Sequence, residues 1–186
     1  MARISSVFHR GWRGIALLLL TITVAACTVT LVPPYDEQID TGLTQLYGDT
    51  TVFVDRMIAA EGKPEGTYEA NKEFYDQALG TVAALTVRAE AHRVLNDCPS
   101  SKLVARAFAR ANLPAEVIGQ IGTLPKDDCQ VVLMRLIKDN FVTMRDVHAH
   151  RGDRGLPQQA RGQFLEGGVG ALLRAAITVE LAKRAG

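Results

Sequence analysis

An all-α fold is predicted: an antiparallel bundle of about four long helices, with two short helices inserted between the second and third. Three observations predict it. Apolar residues recur at alternating intervals of three and four along most of the chain, which is the spacing of one helix face. Clusters of glycine and proline interrupt that pattern at intervals suited to helices of several turns. No stretch alternates apolar and polar residues well enough to argue for strands.

The first helix should begin near Tyr35 or Asp36. Pro33 and Pro34 favour extended backbone before it, and Asp36, Glu37 and Asp40 suit the positive end of a helix dipole. Ile39, Leu43, Leu46, Thr50, Phe53 and Met57 are spaced 4, 3, 4, 3, 4. Gly62-Lys63-Pro64-Glu65-Gly66 should stop it, and Thr67 is a candidate N-cap for the next helix. That second helix is expected from about Tyr68 to Leu95, with Tyr75, Ala78, Val82, Leu85, Ala89 and His92 on its apolar row. A breaker this short makes the pair an antiparallel hairpin.

Asn96 to Ser100 ends the second helix. Leu103, Val104, Ala107, Phe108 and Ala111 mark one short helix; Pro114, Val117, Ile118 and Ile121 mark another. A long helix resumes near Lys126, with Leu133, Ile137, Met144 and Val147 on one row and Met134, Phe141 and His148 on another. It should end near Arg151-Gly152. Gly152 to Gly155 reads as a turn, and Pro157 is expected to begin the last helix, which carries Leu165, Val169, Leu172, Ala176 and Val179. Gly167, Gly168 and Gly170 lie inside that helix, where each costs up to about 1 kcal/mol relative to alanine. They imply either close helix–helix approach or a kink.

The first 26 residues have a different character. Arg3, Arg10 and Arg13 form a basic start without acids, followed by an apolar run from Ile15 to Ala26 that is too short for a comfortable membrane span. The run ends in Val24-Ala25-Ala26-Cys27. This resembles the lipobox of bacterial lipoproteins, in which the signal is cut before a cysteine that then carries a diacylglycerol. The resemblance implies a signal peptide over residues 1–26, lipidation at Cys27, a lipid-anchored tether over 27–34 and a bundle domain over 35–186. It implies a periplasm-facing protein of the bacterial envelope. Thr28 in place of an aspartate favours the outer membrane over the inner.

Without residues 1–26 the chain has 18 basic and 20 acidic residues, a net of −2, which disfavours nucleic-acid binding by bulk charge. The charge is segregated: residues 27–76 carry a net of −7 and residues 77–186 a net of +5. An acidic first helix facing basic later ones explains this. A basic face for lipid headgroups or cell-wall polymers is the functional alternative.

Little in the chain points to catalysis. It contains no Cys-x-x-Cys-His, no His-Glu-x-x-His and no Gly-x-Ser-x-Gly, so no enzyme activity, cofactor or metal is expected. His148 and His150 point about 200° apart on a helix and cannot chelate one ion there; a solvated helix C-terminus accounts for them. His92 reads as a hydrogen-bonded histidine at the bundle edge. Asp127 and Asp128 read as decoration of a helix start. With Cys27 lipidated, Cys98 and Cys129 remain as a disulfide pair in an oxidising compartment, closing a loop of about 32 residues worth roughly 3–4 kcal/mol.

Further pieces resemble a family of small helical bacterial lipoproteins with no established activity: Tyr35-Asp36-Glu37-Gln38-Ile39-Asp40, Glu73-Phe74-Tyr75-Asp76, Leu85-Thr86-Val87-Arg88-Ala89 and Thr178-Val179-Glu180-Leu181-Ala182-Lys183. The resemblance covers the first hairpin and the last helix and supplies no catalytic residues. The function expected is non-enzymatic contact with an envelope protein or cell-wall partner. The alternative is a small-ligand or metal carrier using a pocket between helices.

Overall fold

The computed structural model describes residues 34–92, 115 and 128–184. They lie in one unit of the chain, Val32–Gly186, and are all-α, with four long helices packed together and no strand among them. Helix α1 spans Glu37–Ala59, α2 Tyr68–Ala91, α3 Cys129–Arg151 and α4 Val169–Arg184.

Local chemistry sets the helix ends. Asp36 caps α1 by accepting from the Gln38 and Ile39 amides, and Thr67 caps α2 through the Ala70 amide. Such caps satisfy backbone donors that a helix start leaves unpaired. The link between α1 and α2 is a 3-10 turn, Pro64–Gly66. Asn71 pins it by donating to the Glu65 and Thr67 carbonyls at 2.7 and 2.8 Å. The second helix is shorter than its periodicity suggests, with His92 at its C-cap instead of a run to Leu95. The third starts at Cys129 instead of Lys126, because Asp128 caps it by accepting from the Gln130 amide. The two short helices expected between α2 and α3 lie outside the described residues.

Each helix packs against its chain neighbours, and α4 closes the ring on α1. Contacts between opposite ends show that neighbours run antiparallel. Asp36, before α1, bonds Arg88 near the end of α2 and Glu180 near the end of α4. Tyr75, early in α2, meets His148, late in α3.

The core follows the helical rows. Ile39, Leu43, Leu46, Phe53 and Met57 of α1 are buried, as are Tyr75, Ala78, Val82, Leu85 and Ala89 of α2. Thr50 is buried within the α1 row because its hydroxyl donates to the Leu46 carbonyl at 2.6 Å. From α3 come Leu133, Met134, Ile137, Phe141 and Met144, and from the last segment Leu165, Val169, Leu172, Ala176 and Val179.

The last helix departs from expectation. Pro157 does not begin it. A turn follows the proline, then a π-helical turn, Arg161–Glu166, a bend at Gly167 and Gly168, and only then α4. The glycines serve the break. A Cβ on Gly168 would lie 2.7 Å from the Gln163 carbonyl oxygen, and one on Gly170 would lie 2.4 Å from that of Leu165. The wide π turn therefore folds back on the backbone that follows it, and the close approach is within the segment instead of between helices. Such turns are uncommon and often interrupt an α-helix.

Acidic α1 and the basic second half meet as their charges suggest. Arg161 pairs with Asp55, Arg151 with Glu61 at 3.0 Å, and the Arg174 and Arg184 guanidiniums lie over the Tyr47 and Tyr35 rings. Exposed pairs of this kind contribute little individually; the apolar seams hold the bundle.

Candidate functional site

Most of the buried polar residues described lie near the two ends of the bundle. At the end holding the α1–α2 and α3–α4 turns, His148 is fully buried. Its Nδ1 lies 2.9 Å from the Tyr75 hydroxyl and its Nε2 lies 2.8 Å from the Gly66 carbonyl oxygen. A carbonyl can only accept, so Nε2 carries the proton. A neutral ring then leaves Nδ1 to accept from Tyr75. Burial holds the His148 pKa below the usual histidine value, outweighing the Gly66 bond, and nearby Arg151 pushes the same way. Burial and then Tyr68 hold the Tyr75 hydroxyl protonated to well above its ordinary pKa.

Aromatic rings enclose this junction. Phe53 stacks on Phe74 with centroids 3.7 Å apart and meets Tyr75 edge-on at 5.4 Å, while Tyr68 lies 6.0 Å from the His148 ring. The adjoining turns are tied together. Gly62 donates to the Arg154 carbonyl at 3.0 Å, and Arg151 Nε donates to the Gly155 carbonyl at 2.5 Å. Gly155 has φ +66°, and a Cβ there would sit 2.7 Å from the Gly66 carbonyl oxygen, so two constraints call for glycine.

This corrects the solvated reading of His148. Its seven-residue spacing from Met134 and Phe141 was the available signal, since it placed the ring on a buried row. His150 is exposed on the other side of α3. Among the described residues no group of three or more His, Cys, Asp or Glu side chains could hold a metal ion.

At the opposite end, Asp36 is the hub. Its Oδ2 lies 2.6 Å from Arg88 Nε and 2.8 Å from His92 Nε2. Its backbone amide donates to Glu180 Oε1 at 2.6 Å, and Lys183 Nζ bonds Glu180 Oε2 at 2.8 Å. Burial alone would raise the Asp36 pKa; the Arg88 bond and the Ile39 and Gln38 amides outweigh it, so the carboxyl lies below the usual aspartate value. His92 is thus a bonded edge histidine, as its row position predicts. Glu180 and Lys183 were not singled out from sequence as a buried pair. Their signal is that Glu180 lies four residues past Ala176 on the core row and Lys183 three beyond that, one face of the helix.

Of the residues singled out for modification, Cys129 is buried at the start of α3 and is disulfide-bonded. Cys98, expected as its partner, and Cys27, expected as the lipidation site, lie outside the described residues. No described helix is long and apolar enough to cross a membrane. No protein-family model matches the chain, and neither a curated protein nor a solved structure does.

A pH dependence follows from the buried histidine. Above pH 6.5 the ring is neutral in both folded and unfolded chains, and its bonds contribute in full. Below that value the unfolded chain takes up a proton more readily than the folded one. Stability is therefore lost as pH falls from 6.5 through the lower folded-state pKa, with a slope of at most about 1.4 kcal/mol per pH unit. Urea unfolding midpoints between pH 7.5 and 5 should show this fall, and His148→Gln should flatten it. The Asp36 contribution belongs to a separate, more acidic window below its unfolded value of 3.8. A midpoint constant down to pH 5 would contradict the assignment.

Proposed function

We propose that this chain is a lipid-anchored, non-enzymatic lipoprotein of the bacterial envelope, facing the periplasm and acting by contact with other envelope components. The observation that carries the reading is the coincidence of a basic start, a short apolar run, Val24-Ala25-Ala26 and Cys27. The bundle supports it. Asp36, nine residues after Cys27, already caps α1, so the intervening segment has the length of a tether. The buried polar groups His148, Tyr75, Asp36 and Glu180 are engaged with one another or with backbone, as structural groups are. Two or three acyl chains on the cysteine would make attachment stable where a single one gives only marginal binding.

Mass spectrometry of the mature N-terminus tests the anchor. Residues 1–26 should be absent and Cys27 should carry the added mass of acyl chains. Retained Met1, or an unmodified Cys27, would end the proposal. Cys27→Ser should leave the chain uncleaved and held at the inner membrane.

The disulfide of Cys129 is assigned to Cys98 by the same reading, since lipidation removes Cys27 from consideration. Antiparallel packing of α2 and α3 supports the assignment, because the end of α2 and the start of α3 lie at one end of the bundle. A thiol titration of the denatured, unreduced mature protein should find no free thiol; two would exclude the pairing.

A further inference from the structure

The outer face of the α1–α2 hairpin carries an open groove of about 590 Å³, within the range of small-ligand sites. Leu46, Phe74 and Ala78 form its floor; Gln45, Asp49, Gln77 and Thr81 form its rim. Phe74 is fixed by stacking on Phe53 and by edge contacts with Tyr75 and Phe141, so the floor is rigid. Gln77 donates to Glu73 at 3.0 Å. The side chains of Gln45, Asp49 and Thr81 make no hydrogen bond or ion pair among the described residues. The rim therefore offers two amides, a hydroxyl and a carboxylate, an array that can both donate and accept.

Charge narrows the ligand class. Asp49 is the one charged side chain lining the groove, no cation lines it, and the nearby Glu73 is held by the Gln77 amide on the rim. A phosphate or carboxylate would find no counter-charge and would meet Asp49 instead. A lipid chain would find too little apolar surface beneath a polar rim. A ligand dense in uncharged hydroxyl and amide groups, with some apolar surface to lie on the Leu46, Phe74 and Ala78 floor, matches both surfaces. That description is a neutral saccharide.

We propose that the α1–α2 groove is a binding site for a neutral oligosaccharide. This deepens the contact role proposed above, resting on it only for the source of the glycan, which would be an amino-sugar polymer of the cell wall. The purified full-length protein in detergent, titrated with chitotetraose and observed by saturation-transfer difference NMR, tests the site apart from the anchor.

Saturation should reach the sugar ring protons, with an affinity near the millimolar range expected of a shallow site. Asp49→Ala combined with Gln77→Ala should weaken binding about tenfold or more. Both residues are exposed, so the thermal midpoint should be nearly unchanged. Asp146→Ala, on the distant surface of α3, should bind as the parent does. Tighter binding of the tetramer than of free N-acetylglucosamine supports the proposal; equal binding would overturn it in favour of a monosaccharide site. No transfer at 10-fold above about 1 mM sugar, unchanged binding by the double variant, or preference for a neutral peptide such as tetra-alanine would overturn the proposal. None of these outcomes bears on whether Cys27 is acylated.

Discussion

His148→Ala is expected to destabilise the protein by about 3–5 kcal/mol. The histidine is fully buried with both ring nitrogens engaged. Its removal leaves the Tyr75 hydroxyl and the Gly66 carbonyl buried without their partner, each costing about 1–3 kcal/mol. It also opens a cavity among Phe53, Tyr68 and Tyr75, whose rings pack around it. A loss of this size is a large share of the 5–15 kcal/mol that holds a typical domain together. Urea unfolding at pH 7.5 measures it, and a loss below about 1 kcal/mol would show that the junction relaxes freely. Tyr75→Phe should cost less, about 1–3 kcal/mol, because ring packing survives and only Nδ1 loses its partner. The double variant should cost less than the sum, since the two residues share one bond.

The second large effect has a sign that runs against ordinary expectation. Replacing a mid-helix glycine by alanine usually stabilises a protein by about 0.5–1 kcal/mol. Gly170→Ala should instead destabilise it by about 1–3 kcal/mol or more. Its Cβ would lie 2.4 Å from the Leu165 oxygen and 2.8 Å from the Leu165 Cα, and neither is the movable end of a side chain. Gly48 and Gly80 supply the contrast. They lie inside α1 and α2 with nothing within 4 Å of an added Cβ, so Gly48→Ala and Gly80→Ala should each raise the thermal midpoint. Uniform stabilisation by all three would show that the π turn yields without cost.

These glycines also mark where sequence stops being informative. Periodicity located α1, α2 and α3 because a helical face repeats independently of its surroundings, and every α1 row position from Ile39 to Met57 is buried. The row from Leu165 to Val179 is buried too, yet the backbone beneath it changes from a π turn to an α-helix. Side-chain spacing barely registers one inserted residue per turn, so the break was legible only as an excess of glycine. His148 illustrates a second limit. A histidine beside Arg151 and Gly152 suits a solvated helix end, and only contact with α2, remote in sequence, makes it an interior residue. The Asp36 hub shows a third. The cap was legible locally, while its bonds to Arg88 and Glu180 span 52 and 144 residues.

That hub has a mechanical consequence. The chain reaches α1 at Asp36, where the backbone amide is held by Glu180 and the carboxylate by Arg88 and His92. Tension applied through the preceding residues does not peel α1 away one turn at a time. It loads bonds to α2 and α4 together, in shear along helices running the opposite way. The α1–α2 and α3–α4 turns form the far end, about 35 Å distant for a helix of 23 residues. Held by its N-terminus, the bundle would behave as a short rigid strut, with its pulling point reinforced and its tip closed by the α1–α2 turn and the longer α3–α4 link.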